Sequence, residues 1–206
     1  MDMNLIPDIV VGRLPRYLQA LQRMSEDGHL STSSQELGDR LGISAAQIRK
    51  DLSQFGEFGK QGTGYAIPYL IDQLESILKI KKVWDIALIG AGDLGRAIAH
   101  YQGFSNRGFR IALVFDNSRE KIGKNIGNFI IQDIADLEKK VREAHIQVAM
   151  LTVPASVAQI VAETVVKTGI RAILSYAPTP LNLPDDVHVE YIDPLIQLQH
   201  MTYYLG

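Results

Sequence analysis

A glycine-rich turn in the second half of the chain has the residue types and the spacing that bind a dinucleotide. Residues 90–95 read Gly-Ala-Gly-Asp-Leu-Gly, which is the G-x-G-x-x-G pattern, and they lie between a predicted strand and a predicted helix. The first glycine permits a tight turn, the second lets the backbone approach a pyrophosphate, and the third lets the helix pack closely. The pattern therefore predicts a phosphate site at a helix N-terminus. Its predicted contacts are Gly90, Ala91, Gly92, Asp93, Leu94 and Gly95.

An acidic residue stands where the ribose of a bound dinucleotide would lie. Asp116 ends a second predicted strand, 21 residues after Gly95. A carboxylate there accepts hydrogen bonds from ribose hydroxyls and repels a 2′-phosphate, so we expect NADH or NAD+ rather than the phosphorylated forms. The alternatives are a glycine turn that binds nothing and a site for another nucleotide, such as coenzyme A.

Two further strand ends are expected at the same edge of the sheet. Thr152, Val153 and Pro154 end one predicted strand, and Ala177 and Pro178 follow the next. Because ligands of parallel sheets bind beyond the carboxyl ends of the strands, these residues are candidate cofactor contacts. The alternative for both segments is a plain turn that ends a strand.

The first half of the chain has the pattern of a helix-turn-helix. Ser33 with Glu36 and Ser44 with Gln47 are two capping boxes, separated by a turn that contains Gly42. The second of these helices is predicted to run through Phe55 and to bury an apolar face. Its opposite face presents side chains of the size that read base edges and phosphates in a major groove. These are Gln47, Arg49, Lys50, Ser53 and Gln54.

A glycine-rich segment after this helix is predicted to form a wing. It spans about residues 56–65 and offers Lys60 and Gln61 for a phosphate or minor-groove contact. Residues 1–80 carry eight basic against ten acidic side chains. Such a domain binds DNA weakly as a monomer, so DNA binding requires a dimer. The alternative is a helical domain for oligomerisation or protein docking.

The order of the patterns predicts an α/β fold with an N-terminal winged helix-turn-helix. Residues 1–80 form the winged-helix domain, with the helix-turn-helix at about 15–54. Residues 81–192 alternate strands and helices, as in a Rossmann-like parallel sheet. Residues 193–206 form a terminal helix that is apolar on more than one side, and we expect it to pack into a second subunit.

Composition excludes several classes of protein. The chain has 206 residues and no cysteine, which removes disulfides and thiolate metal sites and suits a cytoplasmic location. No apolar run is long enough for a membrane span, so no membrane partner is expected.

A small NAD-dependent dehydrogenase is the rival hypothesis. We expect no enzyme, no substrate and no catalytic residue or metal, because a Rossmann core consumes nearly all residues after 81 and no histidine lies in a catalytic pattern.

Several motifs together resemble the Rex family of bacterial redox-sensing repressors. They are Arg49-Lys50-Asp51-Leu52-Ser53, then Phe55-Gly56, Gly64-Tyr65, Gly90–Gly95 and Leu151-Thr152-Val153-Pro154. The resemblance covers essentially the whole chain. It implies a homodimer that binds inverted-repeat operators on double-stranded DNA, is released by NADH, and exchanges its last helix between subunits, with NAD+ competing for the NADH site.

The resemblance also implies residues that couple the nucleotide to the shape of the dimer. Tyr101, placed on the helix after the glycine turn, and Asp193 match family positions with that role. Gln19 stands where the family pattern has an arginine able to pair with the carboxylate of Asp193. Pro194, Gln61 and Ser175-Tyr176 are further departures, and they bear on ligand affinity and on the strength of coupling.

Overall fold

The computed structural model describes residues 6–59 and 64–205 of the chain. The chain divides into two compact units between Lys82 and Val83. The first unit is helical and the second is built on a parallel sheet. Each unit has its own hydrophobic core.

The N-terminal unit packs its helices around a core of fully buried side chains that includes Tyr17, Leu21, Ile48 and Leu70. Its described helices are α1 (Asp8–Val11), α2 (Leu14–Glu26), α3 (Ser34–Leu41), α4 (Ala45–Ser53) and α5 (Ile67–Ile77), and its strands are β1 (Ser31–Thr32) and β2 (Tyr65–Ala66).

Local hydrogen bonds fix the helix-turn-helix. The Ser33 hydroxyl accepts the Glu36 N–H and begins α3, and the Ser44 hydroxyl accepts the Gln47 N–H and begins α4. Gly42 adopts a left-handed conformation and ends α3. The predicted extension of α4 through Phe55 is wrong. The helix ends at Ser53, because the next two N–H groups bond three residues back and tighten the turn.

The wing differs from a self-contained hairpin within residues 56–65. In the described part of this segment, β2 pairs antiparallel with β1, so that Thr32 lies opposite Tyr65. The predicted wing contacts Lys60 and Gln61 lie outside the described residues.

A seven-stranded sheet forms the centre of the C-terminal unit, in the order β5-β6-β4-β3-β7-β8-β9. Its strands are β3 (Trp84–Ile89), β4 (Phe109–Asp116), β5 (Asn125–Ile126), β6 (Phe129–Asp133), β7 (Val148–Leu151), β8 (Ala172–Ser175) and β9 (His188–Tyr191). All neighbours pair in parallel except β5 and β6. The helices are α6 (Asp93–His100), α7 (Leu137–Glu143), α8 (Ala155–Lys167) and α9 (Pro194–Thr202).

The strand order places a crevice at the end of β3. From β3 the chain continues to β4 on one side, and later to β7 on the other side. The order reverses at this point, and ligands of doubly wound folds bind at such a switch point. Together with the helical N-terminal unit, this topology confirms the predicted fold class.

Several elements differ from the sequence-based predictions. The short helix α1 and the strand β5 were not predicted. Helix α6 ends at His100, so Tyr101 lies beyond it rather than on it, before a 3-10 segment at Gln102–Arg107. A 3-10 turn at Ile134–Asp136 leads directly into α7, which becomes α-helical at Leu137.

The terminal helix α9 buries none of its residues in the described structure. Its apolar side chains lie open to solvent, and these are Leu195, Ile196, Leu198 and Met201, followed by Tyr203, Tyr204 and Leu205. Among the described helices, α9 included, none combines the length and the apolarity that crossing a membrane requires.

Candidate nucleotide cleft and DNA-reading helix

A cleft of about 850 Å³ opens at the carboxyl ends of β3, β4 and β7. Eight of the predicted cofactor contacts line it, namely Gly90, Gly92, Asp93, Leu94, Asp116, Thr152, Val153 and Pro154. The predicted contacts Ala91, Gly95, Ala177 and Pro178 are not part of the lining. Ala91 and Ala177 are buried beneath the surface.

The glycine turn has the geometry that the fingerprint predicts. Gly90 has a φ of +104°, in the region that favours glycine, and an added methyl group would lie 2.6 Å from the carbonyl oxygen of Thr152. A methyl group at Gly95 would collide with the carbonyl of Gly90. At Gly92 an added methyl group would meet nothing within 4 Å. The turn is therefore packed tightly on its protein side and open on its cleft side.

Asp116 lies at the end of β4 and is almost fully buried. One carboxylate oxygen accepts the Ala91 N–H at 2.7 Å and the Lys121 ammonium at 3.1 Å, and the other accepts the Ser118 N–H at 2.8 Å. Burial alone would raise the pKa of Asp116, but these three donors outweigh it and lower the pKa below its usual value. A carboxylate has about four acceptor positions. Three of these positions on Asp116 are filled, so fewer remain for ribose hydroxyls than the sequence alone predicts.

Thr152 serves the architecture of the cleft. Its hydroxyl bonds to the carbonyl oxygens of Ile89 and Gly90 at 3.1 and 2.8 Å. The hydroxyl therefore ties the end of β7 to the glycine turn, and its donor is not free for a ligand.

Sequence reasoning missed much of the cleft wall. The missed residues are Ile89, Asn117, Lys121, Ile134, Ala135, Val157, Ile160, Val161, Thr164 and Tyr176. Four of them lie on α8 at positions 157, 160, 161 and 164, a spacing that marks one helix face and could have been found. Burial raises the pKa of Tyr176, so its phenol is neutral near neutral pH. The wall is mainly apolar and presents Lys121 as its cation.

In the N-terminal unit, α4 exposes part of the face that the sequence assigns to DNA. Arg49, Lys50 and Ser53 are exposed, and Gln54 lies just after the helix. The guanidinium of Arg49 donates to the Ser34 hydroxyl at 2.8 Å, and the Ser53 hydroxyl donates to the Lys50 carbonyl. Between this end of α4 and residues 56–59 lies a hollow of about 410 Å³.

The side chain of Gln47 makes a hydrogen bond within the protein that the sequence does not predict. Its side-chain amide donates to the carboxylate of Asp51 at 2.7 Å, and Asp51 is completely buried. The charge count of residues 1–80 included Asp51 without assigning it a partner, because Arg13 lies 38 residues earlier.

The three residues expected to couple nucleotide and dimer lie at exposed positions or helix ends. The ring of Tyr101 is about half exposed, packs edge-on against Phe104, and lies so close to Gly103 that a methyl group there would collide with it. Asp193 caps α9 by accepting the Leu195 N–H. Gln19 is exposed on α2.

Two family models match the chain in the order of its units. Residues 5–53 match a putative DNA-binding protein N-terminus, and residues 81–179 match a CoA-binding domain. A redox-sensing transcriptional repressor Rex from Chloroflexus aurantiacus is 52% identical to the chain, over 98% of this chain and 96% of its own length. The chain belongs to the Rex family. The resemblance found in the sequence is thereby confirmed.

Solved structures of a Rex-family repressor, RSP, resemble the whole chain. RSP in complex with β-NAD+ and operator DNA has a TM-score of 0.92 and 35% identity, and the match covers 98% of this chain and 93% of RSP. RSP in complex with β-NADH has a TM-score of 0.89 and 33% identity, over 98% and 94%. The order of winged helix and Rossmann-like unit is therefore that of a Rex-family repressor.

Proposed function

We propose that this chain is a transcriptional repressor that reads the ratio of NADH to NAD+ and leaves its operator when NADH binds. The observation that carries the proposal is a DNA-reading helix and a dinucleotide cleft in one chain that matches Rex repressors over 98% of its length. RSP, which shares this fold, has been crystallised with operator DNA and with both nucleotides. Bacterial operators lie in the cytoplasm, and we place the protein there.

The cleft residues fit an NADH or NAD+ molecule. The turn at Gly90 and Gly92 would hold the pyrophosphate at the N-terminus of α6, and Asp116 would bind the adenosine ribose. The apolar side chains of Ile134 and Val157 would flank the adenine. Lys121 already pairs with Asp116, and its ammonium would adjust when a ribose enters.

Nucleotide control of DNA binding requires two arrangements of the protein. NADH shifts their populations only if it binds the DNA-incompetent arrangement more tightly. The nicotinamide ring is a cation in NAD+ and neutral in NADH, so the site must respond to that charge. Following the family resemblance, we assign Tyr101, Asp193 and Gln19 to this coupling. A neutral Gln19 gives Asp193 a weaker partner than an arginine would.

A dimer is part of the proposal. Inverted-repeat operators present two half-sites, and a two-fold symmetric dimer places one reading helix on each. The exposed apolar helix α9 favours association with a second subunit, because covering solvent-exposed apolar side chains lowers the free energy. We propose that α9 packs against the partner subunit near its nucleotide cleft.

Anisotropy of a labelled inverted-repeat duplex tests the proposal directly. The duplex is selected from random DNA with the purified protein, and the complex is then titrated with NADH and, separately, with NAD+. We expect NADH to release the duplex at micromolar concentrations and NAD+ to compete with NADH without causing release. The proposal is overturned if the protein binds the selected duplex no better than unrelated DNA, or if NADH does not release the duplex. NADH absorbance should stay constant, whereas a dehydrogenase supplied with its substrate would consume it.

A further inference from the structure

Asp51 is a fully buried carboxylate in the reading helix α4, and its contacts come mainly from another helix. The guanidinium of Arg13 donates two hydrogen bonds to it, at 2.6 and 2.7 Å. The Tyr17 hydroxyl donates a third at 2.6 Å. Arg13 occupies the position just before α2 and Tyr17 lies in the first turn of that helix, so three bonds join the start of α2 to α4.

The fourth bond comes from Gln47, one turn earlier on α4, whose amide donates at 2.7 Å. Each oxygen of Asp51 therefore accepts two hydrogen bonds, which fills the capacity of a carboxylate. Burial alone would raise the pKa of Asp51, but the bonds from Arg13, Tyr17 and Gln47 lower it below its usual value. A buried charge that is fully paired in this way is rigidly held, since losing one partner leaves a costly unpaired group.

The same bond fixes the side chain of Gln47. Its backbone N–H joins the cap at Ser44, so Gln47 lies in the first turn of α4, the part of a reading helix that contacts base edges. Asp51 takes one of its two amide N–H groups. In the described structure, the other N–H and the carbonyl oxygen remain for a ligand. One donor beside one acceptor is the pair that recognises the major-groove edge of adenine.

A second glutamine and aspartate pair, on α3, has the same spacing but no hydrogen bonds from an arginine and a tyrosine in the described structure. Gln35 donates to Asp39 four residues later, at 2.8 Å, and both side chains are exposed. Neither arginine nor tyrosine adds a described hydrogen bond to Asp39. This pair serves as a matched control on the neighbouring helix.

We propose that Arg13 and Tyr17 act through Asp51 as positioning residues for Gln47, and that Gln47 held in this way reads an adenine in each operator half-site. The inference rests on the proposed DNA binding and adds to it a base preference and its cause. A glutamine without the hydrogen bond to Asp51 would sample several rotamers and orient its amide less selectively.

The test measures base preference, which a purely structural role would not alter selectively. The selected duplex is changed one base pair at a time, and the affinity of the full-length wild type is measured for each change by anisotropy. The same series is run with Gln47→Ala, Asp51→Asn, Tyr17→Phe and Asp39→Asn. Circular dichroism and NADH binding report whether each variant is folded.

We expect the wild type to prefer adenine by roughly tenfold at one position per half-site. Gln47→Ala should reduce that preference to below about twofold, and Asp51→Asn should abolish the same preference. Tyr17→Phe removes a single bond and should reduce the preference at that position alone, and Asp39→Asn should leave it unchanged. Should Asp51→Asn fail to fold, Tyr17→Phe decides.

Two results would overturn the inference while DNA binding stands. In one, Gln47→Ala keeps every base preference of the wild type. In the other, Tyr17→Phe and folded Asp51→Asn weaken all duplexes equally and retain the adenine preference, which makes the cluster a structural feature only. A wild type that does not discriminate its selected duplex from unrelated DNA instead overturns the proposed function itself.

Discussion

Asp51 and Asp116 are both almost wholly buried and both keep a lowered pKa, yet they do so in different surroundings. Around Asp51, side chains from α2 together with Gln47 of its own helix saturate the carboxylate. Around Asp116, two backbone N–H groups and one partly exposed lysine leave an acceptor position open to the cleft. The first arrangement suits a fixed structural point. The second suits a carboxylate that exchanges a protein partner for a ligand.

Asp116→Asn should weaken NADH binding by about tenfold or more. An amide cannot accept every bond that the carboxylate accepts, and an unpaired buried donor costs about 1–3 kcal/mol. Titration of NADH fluorescence measures the affinity. Asp85→Asn is the matched control, because Asp85 pairs with Arg110 on neighbouring strands at the end of β3 away from the cleft. Equal losses in both variants would contradict a ligand role for Asp116.

The phenol of Tyr17 should ionise only in strong alkali. Burial, together with the hydrogen bond to Asp51, raises the pKa of Tyr17 to about 12, so folding favours the protonated form. Its stabilising contribution is present below about pH 10 and is lost as the pH rises through about 12. The difference between the tyrosinate absorbance curves of wild type and Tyr17→Phe isolates this group. In denaturant the same difference should have its midpoint near 10.

At the scale of elements, the starts of helices were predictable because their causes are local. Each serine cap depends on residues within four positions, and the structure has both caps as predicted. The glycine turn at residue 90 was predictable from its local spacing, although it also packs against the distant Thr152. The order of the seven strands, the strand β5 and the burial of Asp51 depend on contacts between segments far apart in sequence. Periodicity carries no information on such partners. Gln47 was accordingly assigned to the DNA-reading face without its hydrogen bond to Asp51.

Both serine caps of the helix-turn-helix should contribute to the stability of the N-terminal unit. Ser33→Ala and Ser44→Ala each remove a hydroxyl that accepts an N–H group, which costs about 1 kcal/mol of unfolding free energy. Ser44→Ala should also weaken operator binding, since it loosens the first turn of α4. Urea unfolding followed by circular dichroism measures the change. Ser25→Ala, at an exposed position in α2, should have little effect, and a similar loss there would contradict the capping argument.

The whole molecule joins two units that each have a core of their own, and this affects how its unfolding is measured. Chains with two such units commonly unfold in more than one step, so a single midpoint does not describe them. The apolar surface of α9 adds a dependence on protein concentration if a partner covers it. Stability therefore has to be compared at fixed concentration, with a probe for each unit.

Removal of residues 194–206 should convert the proposed dimer into a monomer. The deletion takes away the exposed apolar side chains of α9 and the residues after it, and leaves the buried core of the sheet intact. Sedimentation measures the mass, and NADH binding reports whether the Rossmann-like unit is folded. Leu198→Glu, which keeps the helix in place, should shift the equilibrium in the same direction. A truncated protein that remains a dimer would contradict the proposed exchange.

The ion pair between the partly exposed Arg13 and the buried Asp51 also constrains which substitutions this sequence can accept over generations. Changing Arg13 alone leaves the charge of Asp51 unpaired in the interior, at a cost of about 3–5 kcal/mol, which is a large part of the 5–15 kcal/mol that typically holds a domain folded. A variant with only the first of two changes is therefore selected against before the second change can restore its stability. The two positions are expected to persist together or to be replaced together by apolar residues of similar volume, so that selection sees them as one inherited unit.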